Sequence, residues 1–293
     1  MGILTSFPTF ISHSGSIMKK PIRKYHVVAS DLDGTLLGPD HKLSEFAKST
    51  LRALHQKGYT FVFATGRHHI EVAGIREMTG IPAYMVTSNG ARVYDTRDEL
   101  LFSRDVPPSI MQDIVDVMRQ DPDIFIHIYR NDTWLLSHID EALCACHDDA
   151  KFTFTEFDAK KAPVDGISKV FFTHKHLDHD LLASYEVKLK GDFGDKITVA
   201  FSNPWCLEVM GPEISKGHAL RMVSESVGYS LKNCIAFGDG MNDLEMLSMA
   251  GKGVVMGTSH EKVLRALPAI ERIGSSAEDA VPLYLETHLL QTL

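Results

Sequence analysis

The sequence predicts a doubly wound, mainly parallel α/β core with an α+β domain inserted into it. Three observations predict this class. Residues 27–87 alternate apolar strands with amphipathic helices, which is the rhythm of a parallel sheet with right-handed crossovers. Residues 91–209 change to hairpin-like strands mixed with helices, which is typical of an α+β domain. The strand–helix rhythm then returns, so we expect a core of 19–87 and 210–293 around an insertion of 88–209.

Two carboxylates directly follow the first strand. The β-branched run Val27–Ser30 predicts a buried strand, and Asp31 and Asp33 come after it, before Gly34. Open α/β sheets bind ligands at this carboxyl end. Two crowded acids repel each other, and Mg2+ removes the repulsion because it takes carboxylate ligands together with substrate phosphate. A surface turn without a ligand is the alternative, since Asp and Gly are common turn residues.

The remaining elements follow from periodicity and from turn residues. Ala47, Leu51 and Leu54 have helical spacing, and Gly58 ends that helix. The other elements expected in the first half of the core are strand 59–64, helix 68–79 and strand 83–87. The insertion is expected to hold strands 92–94, 100–103, 124–129, 133–137, 168–173, 197–201 and 206–210, and helices near 107–120, 139–150 and 176–190.

More polar groups follow the second and third strands. Thr65 and Gly66 end the second strand just before a helix, and a hydroxyl with a flexible glycine suits an anion held at a helix start. A turn without a ligand would have the same composition. Arg67, His68 and Asn89 are our candidates for contacts that set substrate specificity.

A histidine-rich segment inside the insertion matches a zinc signature. His174, His176, Asp178 and His179 form HxHxDH after a strand, as in metallo-β-lactamase-like hydrolases, and such spacing suits zinc. The glycines of that signature are absent, and the chain has 15 histidines. We therefore interpret the segment as a polar loop and helix start.

The second half of the core carries a lysine and a second acidic cluster. Lys216 lies at a helix start, where a cation opposes the helix dipole, so it is either a solvated lysine or a partner for phosphate and carboxylates. The strand from Cys234 ends in Gly-Asp-Gly-Met-Asn-Asp, which places Asp239, Asn242 and Asp243 at its carboxyl end. Strands near 253–256 and 269–273 and a helix over 276–289, with a capping box at Ser276 and Asp279, complete the core.

Composition excludes several classes of protein. The 293 residues are 44% hydrophobic and 23% charged with a net charge of -8, so nothing suggests a nucleic-acid partner. No apolar stretch approaches the ~20 residues of a membrane span. Four cysteines, including the incidental pair Cys144 and Cys146, are too few for a disulfide framework and fit a reducing cytoplasm. We interpret residues 1–18 as a disordered N-terminal extension, because their lysine-last pattern is not that of a signal peptide.

The motifs together resemble the haloacid dehalogenase superfamily of phosphatases. Asp31–Leu37, with the letters DLDGTLL, resembles its first signature, and Thr65 matches the second. Ser215–Gly217 resembles the third motif of the Cof-type branch, and Gly238–Asp243 matches the fourth, GDxxND. The resemblance extends over about 20–293. It implies a Rossmann-like core and identifies the insertion as an α/β cap domain.

The resemblance also implies an activity and roles for residues. It implies a Mg2+-dependent phosphatase for small phosphomonoesters such as sugar phosphates or pyridoxal 5′-phosphate, with Asp31 as nucleophile and Asp33 as general acid and base. The implied phosphate-binding residues are Thr65, Gly66, Lys216 and Asn242. The implied metal ligands are Asp31, Asp33 through its carbonyl, and Asp239, with Asp243 and Asn242 orienting waters and Lys216.

Two alternatives stay open at this stage. One is phosphoryl transfer to an acceptor other than water, as in phosphomutases, and the other is a non-catalytic sensor of phosphorylated metabolites. The presence of both Asp31 and Asp33 argues against the sensor. We expect a cytoplasmic protein, monomeric or weakly homo-oligomeric, whose only partner is a small phosphorylated metabolite.

Overall fold

The computed structural model describes residues 23–138, 152 and 154–291. The extension expected over 1–18 and the helix expected over 139–150, with Cys144 and Cys146, lie outside the described residues. The strands are Val27–Ser30 (β1), Thr60–Ala64 (β2), Tyr84–Thr87 (β3), Arg92–Tyr94 (β4), Leu100–Ser103 (β5), Ile124–Arg130 (β6), Thr133–Leu136 (β7), Phe154–Glu156 (β8), Ile167–His174 (β9), Thr198–Asn203 (β10), Cys206–Met210 (β11), Cys234–Gly238 (β12), Lys252–Met256 (β13) and Glu271–Ile273 (β14). The α-helices are Glu45–Gln56 (α1), His69–Thr79 (α2), Pro108–Met118 (α3), His179–Phe193 (α4), Lys216–Ser226 (α5), Leu244–Met249 (α6), Glu261–Ala266 (α7) and Ala280–Leu285 (α8).

The larger sheet has eight strands in the order β14-β13-β12-β1-β2-β3-β4-β5. The strands from β14 to β3 are parallel, and β4 and β5 are antiparallel. From β1 the chain winds outward through β2 and β3 on one side, and it later winds from β12 to β14 on the other. The border between β1 and β12 is therefore the topological switch point, where open α/β sheets bind ligands. The predicted doubly wound, mainly parallel core is confirmed.

Helices cover both faces of this sheet, which explains why its central strands, such as β1 and β12, are fully buried and largely apolar. Val28 points into a cluster with residues of α1, α2 and α8, whereas Ala29 points to the opposite face and packs with α5, α6 and α7. Helix α1 begins where its cap predicts, because the Ser44 side chain accepts a hydrogen bond from the Ala47 N–H at 2.9 Å.

The smaller sheet has six strands in the order β10-β11-β9-β6-β7-β8, antiparallel except between β7 and β8. Helices α3 and α4 pack on one face. The other face carries an aromatic cluster that includes Tyr129, Trp134, Phe152 and Phe171, and Ile70 at the start of α2 packs against it. The smaller sheet therefore lies against the start of α2, directly after the Thr65–Arg67 turn.

The sheets do not divide the chain at residue 88 as expected. Strands β4 and β5, which we expected in the insertion, extend the larger sheet instead. The chain leaves the larger sheet near Asp105 and returns near Gly211. A Cβ built on Gly211 would overlap the carbonyl of Asp105, so the exit and the return lie against each other.

The C-terminal helical region differs from the prediction in its cap. The capping box is formed by Ser275 and Glu278, one residue earlier than the expected pair Ser276 and Asp279. Asp279 has φ 52° and accepts a hydrogen bond from Ser44 Oγ at 2.7 Å. None of the helices in the described part of the chain is long and apolar enough to cross a membrane.

Candidate active site

The loops after β1 and β12 bring Asp31 and Asp239 together at the switch point. The N–H of Asp31 donates to the Phe237 carbonyl at 3.0 Å, so the two strands stay paired up to the site. Gly34 has φ 73°, and a Cβ at this position would overlap the Asp239 carboxylate. Only glycine therefore allows the two loops to approach this closely. Thr35 Oγ1 donates to Asp239 Oδ1 at 2.8 Å and orients that carboxylate.

A fully buried lysine connects the acids. The Nζ of Lys216 lies 2.9 Å from Asp31 Oδ1 and 2.7 Å from Asp243 Oδ1. The second oxygen of Asp243 accepts the N–H groups of Asp239 and Gly240 at 3.0 and 2.9 Å. Burial opposes the charged lysine, but the carboxylates of Asp243 and Asp31 outweigh it and raise the pKa of Lys216. Lys216 is thus a charged partner of the site rather than a solvated lysine.

The carboxylates carry more negative charge than Lys216 neutralises. Burial and the charge of Asp243 raise the pKa of Asp239 to about 6. Burial, Asp243 and Asp239 also raise the pKa of Asp31 well above its usual value. Ligand oxygens of Asp31, Asp239 and Asp243 lie within 4.8 Å of one another. Such a crowded set of oxygen ligands fits a hard divalent cation, which would offset the repulsion.

The turn after β2 presents a hydroxyl and backbone groups next to these acids. Thr65 is buried, and its N–H donates to the Val86 carbonyl at 2.8 Å. Its Oγ1 accepts the Arg67 N–H at 3.1 Å. Because this bond occupies the oxygen as an acceptor, the hydroxyl hydrogen is left to donate elsewhere.

Asp33 has partners that the sequence did not reveal. Arg67 donates to both oxygens of its carboxylate, with Nε–Oδ2 at 2.7 Å and Nη2–Oδ1 at 2.5 Å. His41 Nδ1 lies 2.9 Å from Oδ1. Burial would raise the pKa of Asp33, but the hydrogen bonds from Arg67 and His41 outweigh it and hold the pKa far below its usual value. Arg67, a predicted specificity residue, thus binds the predicted acid and base, and its contact with substrate stays a prediction.

Two residues of the smaller sheet reach the loops of the larger one. Lys169 on β9 donates to the Gly66 carbonyl and to Glu208 Oε1, both at 2.6 Å. Glu208 on β11 accepts the Asn89 amide at 2.5 Å through Oε2. Asn89 Oδ1 in turn accepts from Asn242 Nδ2 at 3.0 Å. These bonds connect the loops after β2, β3 and β12.

Sequence analysis missed Lys169 and Glu208, although a signal was present. Each is the single charged residue inside a buried stretch of strand, Ile167–Phe172 for Lys169 and Cys206–Met210 for Glu208. Buried charges are rare unless they are paired. Opposite charges in the interiors of two strands of one domain therefore suggest a pair, but the sequence does not reveal which loops that pair contacts.

His68 has a structural role rather than the expected contact with substrate. Its ring accepts the Ile70 N–H at the start of α2, and its Nε2 lies 2.7 Å from the Asn131 carbonyl. The ring also stacks on Phe152 at 4.1 Å. Burial lowers the pKa of His68 to about 3, so the ring stays neutral and serves as a helix cap.

A comparison with known protein families shows which family has this sequence. The sequence profile of haloacid dehalogenase-like hydrolases matches residues 28–285. The chain belongs to this family. Curated relatives agree with the assignment: the chain is 38% identical over 262 residues to the HMP-PP phosphatase of Cronobacter sakazakii, covering 89% of this chain and 94% of that protein. It is 37% identical over 264 residues to the HMP-PP phosphatase of Escherichia fergusonii, covering 90% and 95%.

Solved structures give the same assignment. A haloacid dehalogenase-like hydrolase from Bacteroides thetaiotaomicron superposes with a TM-score of 0.75 at 25% identity, covering 90% of this chain and 99% of that one. The predicted resemblance to haloacid dehalogenase-type phosphatases and the predicted α/β class are therefore confirmed. The chain is a hydrolase of the class that acts on phosphoric monoesters.

The histidine-rich segment does not converge on one metal. His174 Nδ1 accepts the N–H groups of His176 and Asp178. His179 contacts the Pro204 carbonyl at 2.8 Å with one nitrogen and Lys262 Nζ at 3.1 Å with the other. Among the described residues, His174 lies with Asp121 and Asp123 in a group whose ligand atoms are within 4.8 Å of one another, but no such group contains two side chains of the HxHxDH motif. This arrangement agrees with the interpretation as a loop and helix start.

Proposed function

We propose that this chain is a Mg2+-dependent phosphatase that hydrolyses small phosphomonoesters through an aspartyl phosphate on Asp31. The observation that carries the proposal is the ion pair between Asp31 and Lys216 at the switch point of the sheet, 2.9 Å apart and shielded from water. A carboxylate held there by a fixed cation is a nucleophile in place for an anionic substrate. The names of the relatives make HMP-PP a substrate to test beside sugar phosphates and pyridoxal 5′-phosphate.

The first step transfers the phosphoryl group to the protein. A carboxylate oxygen of Asp31 attacks phosphorus, the new O–P bond forms, and the bond to the leaving alkoxide breaks. Asp33 gives its proton to that alkoxide. Since Arg67 keeps Asp33 ionised in the free enzyme, we expect the substrate phosphate to compete for Arg67, so that the pKa of Asp33 rises when substrate binds.

The second step releases phosphate. Water attacks phosphorus, Asp33 takes its proton, and the bond to Asp31 breaks, which regenerates the free carboxylate. Asp33 is ionised again once it has protonated the alkoxide, and the rise in its pKa that we expect when phosphate engages Arg67 makes its carboxylate a stronger base than in the free enzyme. The proposed donors to the phosphoryl oxygens, where the negative charge is concentrated, are the Thr65 hydroxyl, the Gly66 N–H, Lys216 and the Asn242 amide.

The crowded carboxylates would hold the metal. Asp31 and Asp239, with the Asp33 carbonyl, are the proposed ligands, and Asp243 is proposed to orient Lys216, to which it is bonded. When bound, Mg2+ supplies positive charge that stabilises the phosphoryl oxygens during transfer. The insertion is proposed to be a cap domain that covers this edge of the sheet and selects the leaving group.

The experiment is a turnover assay with a panel of phosphomonoesters, with and without Mg2+ and with a chelator. Release of free phosphate would distinguish a hydrolase from a phosphotransferase and from a sensor. Asp31→Asn should abolish turnover, and Asp33→Asn should slow it by roughly 10²–10⁴-fold. Asp192→Asn, on the exposed face of α4, is the matched control and should behave as wild type.

Rapid-quench mass spectrometry with an aryl phosphate shows which of Asp31 and Asp33 is the nucleophile and which is the general acid and base. Asp33→Asn should still accept phosphate on Asp31 from a good leaving group and should accumulate it, since loss of the base slows hydrolysis. Phosphate trapped on Asp33, or turnover in Asp31→Asn, would show that the roles are reversed.

A further inference from the structure

We propose that Lys169 and Glu208 are positioning residues of this reaction, which hold the Thr65–Arg67 turn and Asn89 in the conformation that binds the phosphoryl group. The inference rests on the proposed function. It adds two residues from the smaller sheet to a site whose other parts all come from the larger one.

Lys169 acts on the peptide group between Gly66 and Arg67. Its Nζ donates to the Gly66 carbonyl at 2.6 Å, while the Arg67 N–H of the same peptide donates to Thr65 Oγ1 at 3.1 Å. In a trans peptide these two groups point in opposite directions. A bond that fixes the carbonyl therefore also fixes the N–H that orients the Thr65 hydroxyl toward the phosphoryl site.

Glu208 acts on the other side of the site. Its Oε2 accepts the Asn89 amide at 2.5 Å, and Asn89 Oδ1 accepts from Asn242 Nδ2 at 3.0 Å. Asn89 has φ 57°, in the left-handed region, which asparagine adopts more readily than other non-glycine residues. Through Asn89, the Glu208 carboxylate thus sets the orientation of the Asn242 amide, which is proposed to contact phosphate.

The two side chains are built into the contact between the sheets. Both are almost completely buried, and they form an ion pair at 2.6 Å. A Cβ built on Gly66 would lie 3.1 Å from Asn89 Oδ1, 3.3 Å from Glu208 Oε1 and 3.5 Å from Lys169 Nζ. The pair is therefore seated directly against the glycine of the phosphate-binding turn.

Within the described part of the chain, Lys169 Nζ has no hydrogen-bond partner besides the Gly66 carbonyl and Glu208. Its ammonium group also lies over the faces of Tyr129 and Phe171, at 4.9 and 4.6 Å from the ring centres. These rings belong to the same sheet as the lysine and direct its ammonium group toward Gly66. Removing only one charge would leave the other buried without its partner, so the informative variant removes both.

The test uses the full-length double variant Lys169→Met/Glu208→Met, which keeps side-chain length without charge. We expect kcat to fall about 10²-fold with a smaller change in KM, because misplaced donors weaken the transition state more than ground-state binding. Amide hydrogen exchange should accelerate at 65–67 and at 89. Lys262→Ala, which breaks the separate contact between α4 and α7, is the control and should leave both readouts unchanged.

Two results would overturn the proposal. One is a folded double variant with wild-type kcat, and the other is a fall in kcat without faster exchange at 65–67. If the double variant does not fold, Lys169→Arg/Glu208→Asp takes its place, since it keeps both charges of the buried pair but moves the donor and the acceptor; unchanged kcat and unchanged exchange at 65–67 and 89 would then count against the proposal. Exchange is measured without substrate, so a wild type that hydrolyses no phosphomonoester would reject the proposed function and leave this test intact.

Discussion

At the scale of single residues, Arg67 controls the protonation of Asp33. The Arg67 guanidinium donates hydrogen bonds to both oxygens of the Asp33 carboxylate and keeps the pKa of Asp33 below its usual value. A carboxyl whose pKa is lower in the folded than in the unfolded chain adds stability above the unfolded pKa of about 3.9. That contribution is lost as pH falls from there through the folded pKa.

Arg67→Met should therefore lower the free energy of unfolding at pH 7, and its difference from wild type should shrink as the pH falls below about 3.9. The acid limb of the pH–rate profile should also move to higher pH, because Asp33 then takes up its proton more readily. Urea titrations at several pH values and steady-state rates measure the two effects. Arg265→Met, which removes an exposed ion pair with Glu261 away from the site, is the control; a pH-independent difference for Arg67→Met would contradict the assignment.

Asp239 allows a test of the metal site at the same scale. Its pKa is raised to about 6 by burial and by Asp243, so protons and Mg2+ should compete for it below about that pH. We expect Mg2+ affinity to fall steeply from pH 7 to pH 5.5. Asp239→Asn should bind Mg2+ weakly and lose the part of this pH dependence that comes from Asp239, while the part that comes from the raised pKa of Asp31 remains. Calorimetric titration with Mg2+ measures the affinity of wild type and of Asp239→Asn. A normal affinity in Asp239→Asn would mean that Asp239 is not a metal ligand.

The positions of some site residues could be predicted from the sequence, and those of others could not. Asp31 and Asp239 could be predicted because they directly follow buried strands, and local pattern fixes where strands end. The partners of Asp33 could not be predicted. The hydrogen bond from Arg67 spans 34 positions of the sequence, and it depends on the side-chain rotamers that the folded loops allow.

At the scale of elements, Ser44 connects two distant helices. Its Oγ accepts the Ala47 N–H at the start of α1 and donates to Asp279, which precedes α8. Ser44→Ala removes both bonds and should lower the free energy of unfolding by about 1–2 kcal/mol, with activity unchanged. Urea denaturation measures the loss. Ser49→Ala, an exposed position within α1, is the matched control; an equal loss there would mean that the cap contributes nothing.

Helix starts and ends were largely predictable, and the exception has a clear cause. A cap depends on residues within one turn, so Ser44 identified the start of α1 correctly. At the C-terminus Ser275 and Ser276 are adjacent, and each has an acid three residues later. The choice between them is made by the long-range bond from Ser44 to Asp279, which a local pattern does not contain.

At the scale of the whole molecule, the strand order of the core was predictable and the edge of the insertion was not. Parallel strands joined by helices define a doubly wound sheet, whereas the hairpin of β4 and β5 shows only that the two strands pair with each other. Its pairing with β3 through Val86 and Val93 adds it to the larger sheet. We therefore propose that the insertion runs from about 106 to 210.

Two deletions test this boundary and the role of the insertion together. Because Asp105 and Gly211 abut, residues 106–210 can be replaced by two glycines without stretching the chain. This variant keeps β4, β5 and every proposed catalytic residue, so we expect it to fold. Deleting 88–209 instead removes β4 and β5 and exposes the edge of β3, so we expect that variant to aggregate.

The shorter deletion should also change the chemistry in a defined way. It removes Lys169 and Glu208 and opens the site to water, so kcat for an aryl phosphate should fall while Mg2+ binding persists, because Asp31 and Asp239 stay in place. Relative rates across a panel of sugar phosphates, pyridoxal 5′-phosphate and HMP-PP should converge, since the surface that would contact the leaving group is gone. Circular dichroism, Mg2+ titration and the substrate panel provide the three measurements. A folded core that still ranks the substrates as wild type does would place selectivity in the larger sheet.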